Sequence, residues 1–148
     1  MAAARRRNRG DGRMKITGIH HHSVIVSDLT RARAFYRDVL GLEEVPVPPT
    51  FAFPVAWFAL GSEQIHLLPA KSPDAPSGRH IALHVEDIAA ARQRLRSLGR
   101  PISETTPIPG AERFFTADPD GNRIEIIHWS QPWAETVRAL GLQVPRHP

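Results

Sequence analysis

The chain has no cysteine. Disulfides and thiolate catalysis are therefore excluded, and any metal must be held by imidazole, carboxylate or carbonyl groups. It also has no long apolar run. Pro, Gly or a charge interrupts every hydrophobic stretch before it reaches membrane-spanning length. The first residues lack the apolar core of a secretion signal, so a cytoplasmic location is the default expectation. A net charge on the body of the chain is missing as well. Of the formal +4, all is carried by residues 1–13, where Arg5, Arg6, Arg7, Arg9 and Arg13 outweigh Asp11. A neutral body does not build a nucleic-acid-binding face. Residues 1–13 read as a disordered basic tail. Met14 directly precedes the first patterned segment, which makes it a candidate start.

What the chain does have is a copy of itself. His21-x₄-Val26-x-Asp28 recurs 59 positions on as His80-x₄-Val85-x-Asp87. Ala32, Arg33 and Arg37 recur as Ala91, Arg92 and Arg96, Ile65 recurs as Ile124, and His66 is replaced by Glu125. A period this long is not a solenoid unit. It fits two small modules fused into one domain spanning 14–148: module one at about 15–70, a Pro/Ser/Gly linker at 71–78, and module two at about 79–130.

Within each module the pattern predicts strand, helix, then three strands. A β-branched strand over 19–27 ends at Asp28, a helix cap, and apolar residues from Leu29 to Leu40 follow helical spacing up to Gly41. Strands are expected at 42–48, 54–60 and 64–69. Module two repeats this with strands at 80–86, 102–105, 113–117 and 122–129 and a helix at 88–98, its last hairpin closed by Asp118-Pro119-Asp120-Gly121. A further helix is expected over about 132–141. The fold class is α+β. Two tandem βαβββ modules lie side by side as a curved mixed sheet, with helices outside and the inner face free for a ligand.

Strand side chains alternate between faces. On the strand after the linker, Ile81, Leu83 and Val85 must face the helix, so His80 and His84 face the cavity. By the repeat His21 does too, and the same alternation turns His66 and Glu125 inward. These four positions, His21, His66, His80 and Glu125, suit a divalent transition metal such as Zn, Ni, Co, Mn or Fe. Open positions would remain for a bidentate substrate, which is the arrangement Lewis-acid chemistry needs. A proton-transfer step would fall to Glu125 or to His84. Ser23, Trp57, Phe114 and Arg123 are candidate cavity residues. His22 falls on a helix-facing position and needs a buried partner that the sequence does not identify.

At these residues the chain resembles the vicinal oxygen chelate superfamily, which includes glyoxalase I, fosfomycin- and bleomycin-resistance proteins, extradiol dioxygenases and methylmalonyl-CoA epimerase. The matching strings include His21-His22-Ser23-Val24-Ile25-Val26, Ala34-Phe35-Tyr36-Arg37-Asp38-Val39-Leu40-Gly41, and Asp118-Pro119-Asp120-Gly121-Asn122-Arg123-Ile124-Glu125. The resemblance implies a glyoxalase-like fold, a metal at His21, His66, His80 and Glu125, a homodimer, and a small oxygen-chelating substrate. The implied function is that of an isomerase, epimerase, lyase or dioxygenase. His66 stands where glyoxalase I usually has glutamate. Two other readings stay open: a non-catalytic drug- or metabolite-binding protein of the bleomycin-resistance type, and a metal-bearing regulatory partner.

Overall fold

A computed structural model describes residues 14–146, so the basic tail lies outside the described residues. β1 (His21–Val26) is followed by α1 (Leu29–Ala34), then β2 (Glu44–Val45), β3 (Ala56–Leu60) and β4 (Glu63–Pro69). β5 (His80–His84), α2 (Ile88–Ser97), β6 (Ser103–Glu104), β7 (Ala111–Ala117) and β8 (Arg123–Trp129) repeat that order, and α3 (Trp133–Leu140) follows them. The strands form two four-stranded mixed sheets, ordered β1-β4-β3-β2 and β5-β8-β7-β6. In each, the first strand pairs parallel with the last and the remaining neighbours are antiparallel. Among the described residues no ladder joins the two sheets. They meet along a seam bordered by β1, β5 and the start of β8.

The repeated residues do repeated work. Asp28 caps α1 by accepting from the Arg31 N–H, and Asp87 caps α2 by accepting from the Ala90 N–H, both at 2.9 Å. Arg33 on α1 pairs with Glu44 of the outermost strand at 2.9 Å, and Arg92 on α2 pairs with Glu104 at 3.0 Å. Each helix is thus clipped to the far edge of its own sheet. Those outer strands are only two residues long, shorter than the pattern suggested. Pro46, Pro48 and Pro49 follow the first, and a proline has no N–H to extend a ladder.

The first helix also departs from expectation. It does not run regularly to Leu40 but opens into a π-helical segment, Phe35–Val39, closed by the Leu40 N–H on the Phe35 carbonyl at 3.1 Å. The wider turn lets the adjacent rings of Phe35 and Tyr36 both point inward, and both are buried. They join Val24, Val26, Phe58, Ile65 and Leu67 of the first module and Leu83, Leu95, Phe114, Ile124 and Ile126 of the second in one continuous core.

Polar groups pin the seam at both ends. Asp118 is buried, and its carboxylate accepts from the Asp120 and Asn122 backbone N–H groups at 2.9 Å. It also accepts from the Asn122 amide at 2.8 Å and the Tyr36 hydroxyl at 3.2 Å. Asn122 in turn donates to the Ile25 carbonyl at 2.9 Å, and Asp120 takes up the Ser27 N–H, the Ser27 hydroxyl and Arg31. At the other end Arg94 donates to the Asp38 and Val39 carbonyls at 2.6 and 3.0 Å. α3 docks on its own module: Thr136 is buried against Gly110, whose φ of 82° and lack of a Cβ permit that approach.

Replacing Asp118 strands a buried tyrosine hydroxyl and several N–H donors at once. Asp118→Ala should lower unfolding free energy by about 3 kcal/mol, and Tyr36→Phe by about 1 kcal/mol, as measured by urea denaturation. Equal stability of wild type and Asp118→Ala would remove this turn from the determinants of the fold.

Candidate functional site

The faces turned away from the core carry the polar side chains the alternation assigned to them. On the first sheet, Ser23 and Trp57 are the register neighbours of His66 on either side. The His66 ring is sandwiched, with Trp57 parallel at 4.1 Å and His21 nearly parallel at 4.0 Å. Its Nε2 lies 2.8 Å from the Gln64 amide oxygen, so Nε2–H donates and Nδ1 keeps the lone pair. His21 Nδ1 lies 2.9 Å from His20 Nδ1, a contact that requires one of the two to carry the proton. Phe51 packs edge-on to Trp57 at 5.6 Å and to Phe53 at 6.1 Å, extending an aromatic patch that is open to solvent.

The second sheet presents a different group. His80 Nδ1 donates to the Gly78 carbonyl at 2.9 Å, which fixes the ring and aims Nε2 at Glu125 Oε2, 3.0 Å away. Glu125 is buried, and its other oxygen accepts from Arg113 at 3.0 Å. Arg113 is itself braced by the Thr106 carbonyl at 3.0 Å. Phe115 pairs with Glu125 across the strands, stands edge-on to His80 at 5.1 Å, and carries the Arg123 guanidinium over its face at 4.0 Å.

The four candidate metal ligands therefore come as two pairs, His21 with His66 and His80 with Glu125. Among the described residues no three metal-type side chains converge within one chain. Stacked imidazoles direct their lone pairs side by side rather than at one point, so the first pair needs a ring to turn before both can serve one ion.

The structure places three of the singled-out residues differently from the expectation. Phe114 does not line the open face: it pairs with Ile126, is fully buried, and sits under Arg92 in the core. Its neighbour Phe115 takes the position beside Glu125 and is itself buried there, because strands reverse face at every residue. His84, the other candidate base, is engaged away from the His80–Glu125 pair. Its Nε2 accepts the Trp129 N–H at 3.1 Å, which ties it to the end of β8. His22 is exposed and so does not need the buried partner expected for it; it borders a cavity of about 120 Å³ in the seam. Arg113 and Phe115 were missed, and Gln64, which alternation turns inward beside His66, was given no role. All three were legible in principle, since Gln64 is two residues from His66 and the β7 residues alternate into register with Glu125.

Burial disfavours the protonated form of His66 and of His22. His66 titrates below the ordinary 6.5, first because of burial, then because of His21 and His20. His22 is lowered for the same leading reason, with His21 second. A depressed folded value means the native state binds fewer protons than the unfolded chain. The stabilisation is complete above the unfolded value of 6.5 and is lost as the pH falls through the lowered folded value. The urea midpoint of metal-free protein should therefore drop between about pH 7.5 and about pH 5.5, and by less in His66→Gln. A midpoint independent of pH over that range would contradict the assigned burial.

A family model described as the Glyoxalase/Bleomycin resistance protein/Dioxygenase superfamily matches residues 18–126. Among characterised relatives, the lactoylglutathione lyase of Salmonella typhimurium is 32% identical over 120 residues, covering 72% of this chain and 89% of that one. The 2-epi-5-epi-valiolone epimerase of an Actinomyces species is 28% identical, covering 80% of this chain and 83% of the other. Among solved structures, a protein assigned to the glyoxalase family from Bacillus anthracis superposes with a TM-score of 0.73 at 32% identity, covering 79% of this chain and 98% of that one. With the motif strings, the paired sheets and these matches in agreement, the chain belongs to the glyoxalase/bleomycin resistance protein/dioxygenase superfamily.

Proposed function

We propose that the chain is a metal-dependent enzyme acting on a small oxygen-chelating substrate, of the lyase or isomerase type, and that it works as a homodimer. The observation that carries this reading is the His80–Glu125 contact. An imidazole whose Nδ1 is fixed by a carbonyl, with its Nε2 beside a buried carboxylate, supports reading the two as a donor pair for a divalent cation. Three imidazoles and a carboxylate suit Mn, Fe, Co, Ni or Zn. His21, His66, His80 and Glu125 would hold the ion. When bound, it supplies a Lewis acid that stabilises negative charge on a chelated substrate oxygen. Because the ligands lie in two pairs on two sheets, each pair is read as half of a site that a second copy completes.

The remaining steps belong to the chain's own side chains. Glu125 is the one carboxylate in either cluster, so proton transfer to or from substrate carbon is assigned to its Oε2, while Arg113 anchors Oε1. His66, standing in the first half, adds no second carboxylate. The reaction is therefore expected to use a single base acting on one face of the substrate. Trp57 shields the His66 ring from water, and the exposed Ser23 hydroxyl is available to a substrate oxygen.

A second reading, sequestration of a planar drug or metabolite without catalysis, is favoured by the open Phe51–Phe53–Trp57 patch. Metal analysis of protein purified without a His-tag separates the two readings. His66→Ala and Glu125→Ala should each weaken metal affinity by about tenfold or more. Unchanged metal content in both would refute the assignment. Mixing the two variants tests the shared site. Subunit exchange should restore roughly a quarter of wild-type metal content, because a mixed dimer has one intact pairing. No recovery would place each site within one chain. Activity assays with the metal defined should cover 2-oxoaldehyde hemithioacetals, epoxide antibiotics, catechols and acyl-CoA epimers.

A further inference from the structure

Two arginines, Arg79 and Arg123, border the seam cavity beside His22 and His80, and Asp74 is the one carboxylate among its lining residues. Asp74 is already engaged by Arg79, at 3.5 Å. With a volume of about 120 Å³ the cavity holds several waters, and therefore an oxyanion. Arg123 is the unusual member. Arg31, Arg33, Arg37, Arg79, Arg92 and Arg113 each pair with a carboxylate, and Arg94 and Arg100 donate to backbone carbonyls. Among the described residues Arg96, Arg138 and Arg123 pair with no acid, and of these three only Arg123 borders the cavity, its guanidinium held 4.0 Å over the Phe115 ring.

That support matters chemically. A guanidinium resting on an aromatic face is attracted through its own face, which leaves the N–H donors at its edge free for a planar or tetrahedral anion. Its position is set in advance, so binding an anion costs less side-chain entropy than capture by a loose arginine. His80 ties the cavity to the proposed catalytic face. It borders the cavity, touches Phe115 at 5.1 Å, and directs Nε2 at Glu125. One small molecule can therefore occupy both places.

We propose that this cavity, anchored by Arg123, receives an anionic oxygen group of the substrate, a carboxylate or a phosphate, next to the His80–Glu125 pair. The inference rests on reading that pair as part of a substrate-binding face. It narrows the substrate class to compact anions that also carry neighbouring chelating oxygens.

Isothermal titration of the full-length protein at low ionic strength, with inorganic phosphate and separately with succinate, tests the proposal. One of the two probes should bind, and the preferred probe identifies the kind of anion. Affinity should fall about tenfold or more in Arg123→Gln, the loss of a charge-assisted contact, while metal content stays at the wild-type level. Arg96→Gln, remote on α2, should bind as wild type does. The proposal is overturned if neither probe binds or if Arg123→Gln binds as tightly as wild type. It is also overturned if binding survives Arg123→Gln but is lost in Glu125→Ala, which would put the anion on the metal. Failure of anion binding with normal metal content removes only this inference. Loss of the metal assignment with Arg123-dependent binding intact removes only the catalytic reading.

Discussion

One helix cannot cover both faces of a four-stranded sheet. That constraint organises the whole molecule. The face toward α1 or α2 must be aliphatic, so Val24, Ile65, Leu83 and Ile124 sink into the core. The opposite face is then available to residues that no globular interior would accept. Three imidazoles, a carboxylate and two guanidiniums collect there because period-two alternation leaves them no other place. The chemistry of the site follows from incomplete coverage of the sheets.

Duplication made most of this legible. Because His80 sits beside the unmistakably apolar Ile81 and Leu83, its direction could be read and then carried back to His21, whose own neighbours, His20 and His22, are uninformative. The Asp28 and Asp87 caps and the Asp118–Gly121 turn were readable for the same kind of reason: each residue type there answers a specific backbone need. The rest depended on details that alternation alone does not fix. Phe114 and Phe115 are chemically identical neighbours, and only their register against Ile126 and Glu125 separates core from open face. The π-helical turn has no local sequence signature, because it results from two adjacent aromatics both requiring burial. His84 read as inward-facing, and its bond to the Trp129 N–H is a contact between the ends of two neighbouring strands, which alternation does not forecast.

The two halves diverge in what surrounds their histidines. In the first, His66 is flanked by rings, Trp57 on one side and His21 on the other. In the second, the corresponding Glu125 is bracketed by Arg113 and His80. One half is aromatic and the other ionic, although both occupy the same place in the repeat. A site assembled from one of each would present a substrate with a flat apolar wall facing a charged one. That asymmetry suits a ligand with distinguishable ends.

The continuous core has an implication for how such a chain holds together. Each module keeps its complete strand ladder within itself, so cutting at the 71–78 linker would break no sheet hydrogen bond. It would nevertheless strip Tyr36 and Val26 from Ile124 and Leu83, leaving either half with half an interior. The gene is written twice, but the folding unit is single. Neither copy can drift far in size or shape without a matching change in the other, whatever freedom its outward-facing side chains have to adopt new chemistry.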